Sequence, residues 1–172
     1  MGILSGNPKE EPMHYGEVFS TWNFVMMSNK AIAEAQVLLN HAGDSDLKKL
    51  LKESIELGQS EVKKVSELLL ENGVAVPPSA PEPPKVDVND IPVGAKLADP
   101  DIAISASEKI AAGLVTCSGI MGQSIREDIA MMFGQFHTSK AALGAKYLNL
   151  IKEKGWMIPP PLHFSQKDKV EA

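Results

Sequence analysis

The sequence predicts an all-α fold, a four-helix bundle built from two helical hairpins and one long proline-rich crossover. Three observations carry that prediction. Apolar residues recur at helical spacing through four long stretches, and helix-stopping residues fall between them. The close of the second stretch, LLLENGVAVPP, is also matched in form by the close of the fourth, LIKEKGWMIPPP, at an offset of 82 residues. No segment carries the two-residue alternation of a strand.

Helix A is expected over 14–42, where Tyr15, Val18, Phe19, Trp22, Val25, Met26 and Ala33 recur at helical spacing and nothing breaks the run before Gly43. Helix B is expected over 45–72. Asp44 or Ser45 supplies its N-cap, Leu47, Leu50, Leu51, Leu57, Val65 and Leu68 line one stripe, and Gly73 suits a left-handed C-terminal cap. Residues 74–98 then hold six of the twelve prolines. Proline removes a backbone donor and blocks helix, so this segment reads as an extended crossover.

Helix C is expected over 100–122, with Asp99 and Pro100 as N-cap and first helical residue and with Ala103, Ala106, Ile110, Gly113, Leu114, Cys117 and Met121 on its stripe. Helix D is expected over 125–154. Ser124 and Glu127 have capping-box spacing, and Ile129, Phe133, Phe136, Leu143, Tyr147, Leu150 and Ile151 repeat helically up to Gly155. Residues 1–13 read as a flexible N-terminal segment, 14–163 as the bundle domain and 164–172 as a charged, flexible tail.

Composition narrows the function classes. A chain of 172 residues that is 44% hydrophobic can bury a substantial core, and its formal charge of -5 lacks the positive field that attracts phosphate backbones. Nucleic acid is not an expected partner. The lone Cys117 forms no intrachain disulfide and no thiolate cluster, which fits a cytoplasmic protein. No run approaches the roughly 18 to 20 apolar residues of a membrane span, and Gly6 stands where a myristoylation signal needs Ser or Thr, so neither a membrane nor an anchor is expected.

The repeated ending is specific in form: a helix, a glycine, two or three residues with apolar flanks, then prolines. Together with REDIAMMF early in helix D, these endings carry a resemblance. The sequence resembles an uncharacterised family of ferritin-like proteins from spore-forming bacteria, related to spore coat protein F, whose members have one or two such bundles. The resemblance covers roughly residues 14–163. It implies a ferritin-like bundle of sporulation-associated type, with other spore proteins among its partners, and it supplies no catalytic group.

Ferritin-like bundles that hold two metals need a Glu from each of two helices and a Glu-x-x-His pair from each of the other two. No helix here offers that pair: Gly134 lies three before His137, and Gln59 lies three after Glu56. The expected function is therefore a non-catalytic structural or interaction protein with no cofactor. The alternative is a di-iron or di-manganese oxidase or peroxidase with a rearranged ligand set of Glu61, Glu108 and His137. His14, His41 and His163 are expected at solvent-exposed positions, the methionines (Met26, Met27, Met131 and Met132 among them) as core filler, and Cys117 as an inert buried thiol.

On a wheel of 100° per residue, Glu61 falls at the centre of helix B's apolar arc and Lys140 near the centre of helix D's. Asn29 interrupts helix A's stripe between Met26 and Ala33. With Gly73 and Gly155 at opposite ends of the bundle, the three reach nearly one level, so the expectation is a buried Glu61 to Lys140 ion pair helped by Asn29, with His137 and Cys117 about one turn away. The ammonium would stand where a metal's charge sits in related folds. Ile55, Val62 and Leu69 lie on a second side of helix B, and either a homodimer or the proline-rich crossover is expected to cover them.

Overall fold

The computed structural model describes residues 11–79 and 81–163, so the N-terminal segment up to residue 10 and the tail from 164 lie outside the described residues. Four helices dominate: α1 (Tyr15–His41), α2 (Ser45–Glu71), α3 (Asp99–Gln123) and α4 (Glu127–Glu153). Two short 3-10 turns interrupt the crossover, and no strand occurs among the described residues. The helix pairs α1–α2 and α3–α4 pack as hairpins, and α1 meets α3 while α2 meets α4 across the hairpin boundary.

Each end of the bundle is closed by a carboxylate reaching from one hairpin to the turn of the other. At one end Asp99 accepts hydrogen bonds from the backbone of Gly43 (2.7 Å) and Asp44 (3.0 Å). At the other, Glu17 accepts from the backbone of Ile125 (2.9 Å) and Arg126 (2.9 Å). Every residue of the second contact is the counterpart of one in the first at the same 82-residue offset. The correspondence extends outward: Lys154 donates to Asp44 (2.7 Å) where Arg126 donates to Asn72 (2.9 Å), and Val74 and Trp156 both bond back to a carbonyl five residues earlier. Gly73 and Gly155, at φ 73° and 69°, take the left-handed caps that only glycine adopts without strain. They lie at opposite ends, and the crossover runs the length of the bundle.

Those contacts correct two expected caps. Asp99 is already helical and caps the α1–α2 turn instead of its own helix, which starts after Ala98 with no side-chain cap. Ser124 donates to the Ile120 carbonyl (2.7 Å) rather than capping α4, because Glu17 already takes the amides that precede that helix. The capping box belongs instead to α1, where the His14 ring accepts from the Gly16 and Glu17 amides and Glu17 accepts from the His14 amide. His14 and His41 are partly exposed, as expected, and each also makes hydrogen bonds, the second accepting from Leu97 (3.3 Å).

Helix α1 also faces inward differently from the expected stripe. Glu17, Thr21, Phe24 and Val25 are buried, while Tyr15 and Phe19 are 94% and 69% exposed and Met26 is exposed. The helix is apolar around much of its circumference, so periodicity alone does not choose a face. The outer face carries Trp22, Met26, Asn29 and Ala33, and the crossover lies along it: the Trp22 indole donates to the Ala75 carbonyl (3.1 Å), and the Asn40 amide donates to that of Pro84 (2.9 Å). Met27 and Met131 are exposed as well, and of the four named methionines only Met132 packs against the core. On α2, Ile55 and Leu69 are buried and Val62 packs against the core, so the expected dimer patch is part of the monomer's own packing.

Candidate functional site

The apolar interior is divided into two clusters. One, near Glu17, gathers Phe24, Val65, Leu68, Cys117, Ile129, Phe133 and Phe136, with the three phenylalanine rings in edge-on and stacked contact. The other, near Asp99, gathers Leu47, Leu51, Ala103, Leu143, Tyr147 and Leu150. Between them lies a polar layer. Lys140 on α4 donates to Glu61 Oε2 on α2 at 2.6 Å, tying one hairpin to the other.

Small residues shape that layer. A Cβ on Gly113 of α3 would sit 3.0 Å from Lys140 Cδ, so the bare glycine lets the lysine stem lie across that helix. A Cβ on Gly58 would sit 3.0 Å from Ile32 Cγ1, so glycine likewise lets α1 approach α2 beside the pair. A cavity of about 100 Å³ remains, with Ser28, Ile32, Gly58, Glu61 and Lys140 in its wall. The Lys140 ammonium also stands 5.9 Å from the Phe24 ring centre, within cation-π range.

Glu61 is 1% exposed, and its Oε1 has no hydrogen-bond partner among the described residues. Burial raises its pKa above the ordinary carboxylate value, and the opposing pull of Lys140 is the smaller effect. Burial likewise pushes the Cys117 thiol up to about 11, with Lys140 lowering it less. That thiol stays protonated at neutral pH and is no nucleophile.

One of the expected cluster residues stands apart from the pair. Asn29 lines the groove under the crossover, with Met26, Ala33 and Pro78, because it belongs to α1's outer face; Ser28 takes the inner position. His137 is half-buried one turn from Lys140, with no hydrogen bond among the described residues. The alternative ligand set is not assembled either, since Glu108 is exposed on α3's outer side. The chain's one Glu-x-x-His spacing, Glu11 to His14, precedes α1, and the His14 Nδ1 is occupied as a cap.

This donor set does not fit a di-metal centre. One carboxylate is already bound to an ammonium, the nearby thiol is held protonated, and phenylalanines fill the adjoining level. Among the described residues, no three His, Cys, Asp or Glu side chains converge on a metal-sized site.

The sequence reading missed the second buried polar centre, at the end of the bundle. Arg126, 2% exposed, grips Asp128 through its Nη2 and Nε nitrogens (2.7 and 3.1 Å), and donates to Asn72 and to the Glu11 carbonyl. Glu17, which accepts from the Arg126 backbone amide, is equally buried. Glu17's position three residues after His14 was the available signal, but histidine is an uncommon cap.

A family profile described as a protein of unknown function, DUF3231, matches residues 1–169. The chain belongs to the DUF3231 family. The uncharacterised protein YvdQ of Bacillus subtilis strain 168 is 69% identical over 166 residues, spanning 96% of this chain and 98% of YvdQ. A crystal structure of a Bacillus halodurans protein designated a candidate spore coat protein is 52% identical, with TM-score 0.91, over 92% of this chain and all of the other. A conserved hypothetical protein of Mycobacterium tuberculosis shares the fold at TM-score 0.64 and 11% identity, over 80% of this chain and 98% of that one. Among the described residues of this DUF3231 protein, no helix is long and apolar enough to cross a membrane.

Proposed function

We propose that this chain is a non-catalytic structural or interaction protein of the bacterial spore, a ferritin-like scaffold whose central charge is a lysine instead of a metal. The observation that carries the reading is the 52% identity, over nearly the whole chain, to the Bacillus halodurans candidate spore coat protein. The polar layer supports its non-catalytic half. The Glu61 carboxylate is neutralised by Lys140, the Cys117 thiol is inert, and the cavity beside them is too small for most metabolites. Spore proteins are its expected partners, and no resident cofactor is needed.

Two measurements test the proposal. Tagged protein expressed during sporulation should be recovered in the spore fraction and in coat extracts; recovery in the mother-cell cytosol alone contradicts the spore assignment. Elemental analysis of protein purified without added metal should show iron and manganese far below one per chain. Near-stoichiometric metal overturns the non-catalytic half independently.

A further inference from the structure

Two surfaces of the molecule are chemically matched. The first is an open groove of about 620 Å³ between α1, α3 and the crossover. Its floor is apolar, with Met26, Ala33 and Val37, and its wall carries crossover prolines. Its polar rim is rich in donors: Asn29, Lys30, Ser105 and Lys109. The one acidic group there, Glu34, is already paired with Lys30 and Lys109. Asn29's amide makes no hydrogen bond among the described residues, so the rim retains a donor that an acceptor would satisfy.

The second surface is the arm that leaves α4. It repeats the crossover, whose first residues settle on the bundle after Gly73, but the arm does not settle. Trp156 packs into the core cluster, and beyond it Ile158 and Leu162 are 87% and 66% exposed around Pro159, Pro160 and Pro161. The repeat explains the difference. The Trp22 indole that holds the crossover at Ala75 is replaced, 82 residues on, by Ile104, whose side chain has no donor to offer Met157. Three successive prolines present carbonyl acceptors and no amide donors.

We propose that the proline arm of residues 156–163 docks in the α1–α3–crossover groove of a second copy, so that two chains exchange arms reciprocally. The carbonyls of the three prolines meet a rim that retains the Asn29 donor, and the arm's apolar anchors meet an apolar floor. The lengths agree: Ile158 and Leu162 stand about 12 Å apart in polyproline geometry, and the groove floor from Met26 to Val37 spans about 16 Å of helix. A second copy is the fitting occupant because α1, which supplies the groove floor, stands diagonally across the bundle from α4, where the arm starts. Eight arm residues and the groove lining bring each copy to roughly twenty interface residues, near the lower bound for a stable interface. Exchange of identical elements is a common route to two-fold dimers. The proposal is independent of the spore assignment.

Sedimentation velocity of the full chain across a wide concentration range tests it. The wild-type chain should show a concentration-dependent dimer. Ile158→Asp with Leu162→Asp on the arm, and separately Met26→Arg in the groove, should each weaken it at least about tenfold. All three positions are exposed, and far-UV circular dichroism checks that the helices are intact. An equimolar mixture of the two variants should recover a heterodimer, since one native contact survives and the other pairs Asp with Arg. A wild-type monomer throughout, a dimer indifferent to both variants, or a mixture that stays monomeric each overturns the proposal.

Discussion

Replacing Lys140 with Met removes the one cation bonded, among the described residues, to a carboxylate that is 1% exposed, and the consequence can be worked from the geometry. At 2.6 Å and an effective dielectric of about 20, the gross attraction within the pair is roughly 6 kcal/mol. Most of that offsets the cost of taking both charges out of water, so the intact pair contributes little net stability. Lys140→Met keeps the desolvation of Glu61 and deletes the attraction, and the expected loss is about 3 to 5 kcal/mol. Lys140→Met combined with Glu61→Leu removes both charges, and the expected change is close to zero. Urea denaturation of the wild type, both single variants and the double variant gives the coupling directly.

The pH dependence supplies a second readout of the same perturbation. Burial already holds Glu61's folded pKa above its ordinary 4.5, so the folded state retains this proton to higher pH than the unfolded state. With a raised folded pKa, the group's contribution to stability is complete below the unfolded value and declines as pH rises through the folded one. Lys140→Met raises that folded value further by removing the opposing pull. Its deficit relative to wild type should therefore be smallest below pH 4.5 and should grow as pH increases toward neutrality. If the single and double variants lose equal stability, or the deficit of Lys140→Met is the same at all pH, the two groups are not energetically coupled and the argument fails.

Three further outcomes are expected. Glu17→Ala should cost about 2 to 4 kcal/mol in urea melts, because it strips acceptors from the Ile125, Arg126 and His14 amides at a buried site; a loss below about 0.5 kcal/mol would mean water replaces it freely. Gly73→Ala and Gly155→Ala each force a side chain into the left-handed region and should cost about 1 to 2 kcal/mol, or on the order of 4 °C in Tm by scanning calorimetry. An unchanged Tm would show that these caps relax. Cys117, with its thiol pushed up to about 11, should resist a disulfide reagent at pH 8 in the native protein and react at once in urea, whereas rapid native labelling would contradict its burial.

The four helices, their order and nearly all their ends are legible in the sequence, because those depend on local causes. Proline blocks helix wherever it stands, glycine takes the left-handed cap without help, and an 82-residue repeat of both marks two hairpins with one crossover. Glu61 and Lys140 are legible there as inward positions too, since each interrupts an otherwise apolar arc whose centre is well defined by Leu57 and Val65 on α2 and by Phe136 and Leu143 on α4. The tertiary structure decided what local pattern leaves open. Helix α1 is apolar on two sides, and only docking of the crossover on Trp22 and Asn40 shows which side faces out; that choice carries Asn29 away from Glu61. Asp99 and Ser124 have the residue types and spacing of caps. Their partners were settled by the opposite hairpin, whose turn amides and carboxylates compete for the same hydrogen bonds at no distance a sequence records. Glu17 and Arg126 look like solvated charges for the same reason: what buries them is contact between hairpins more than a hundred residues apart in the chain.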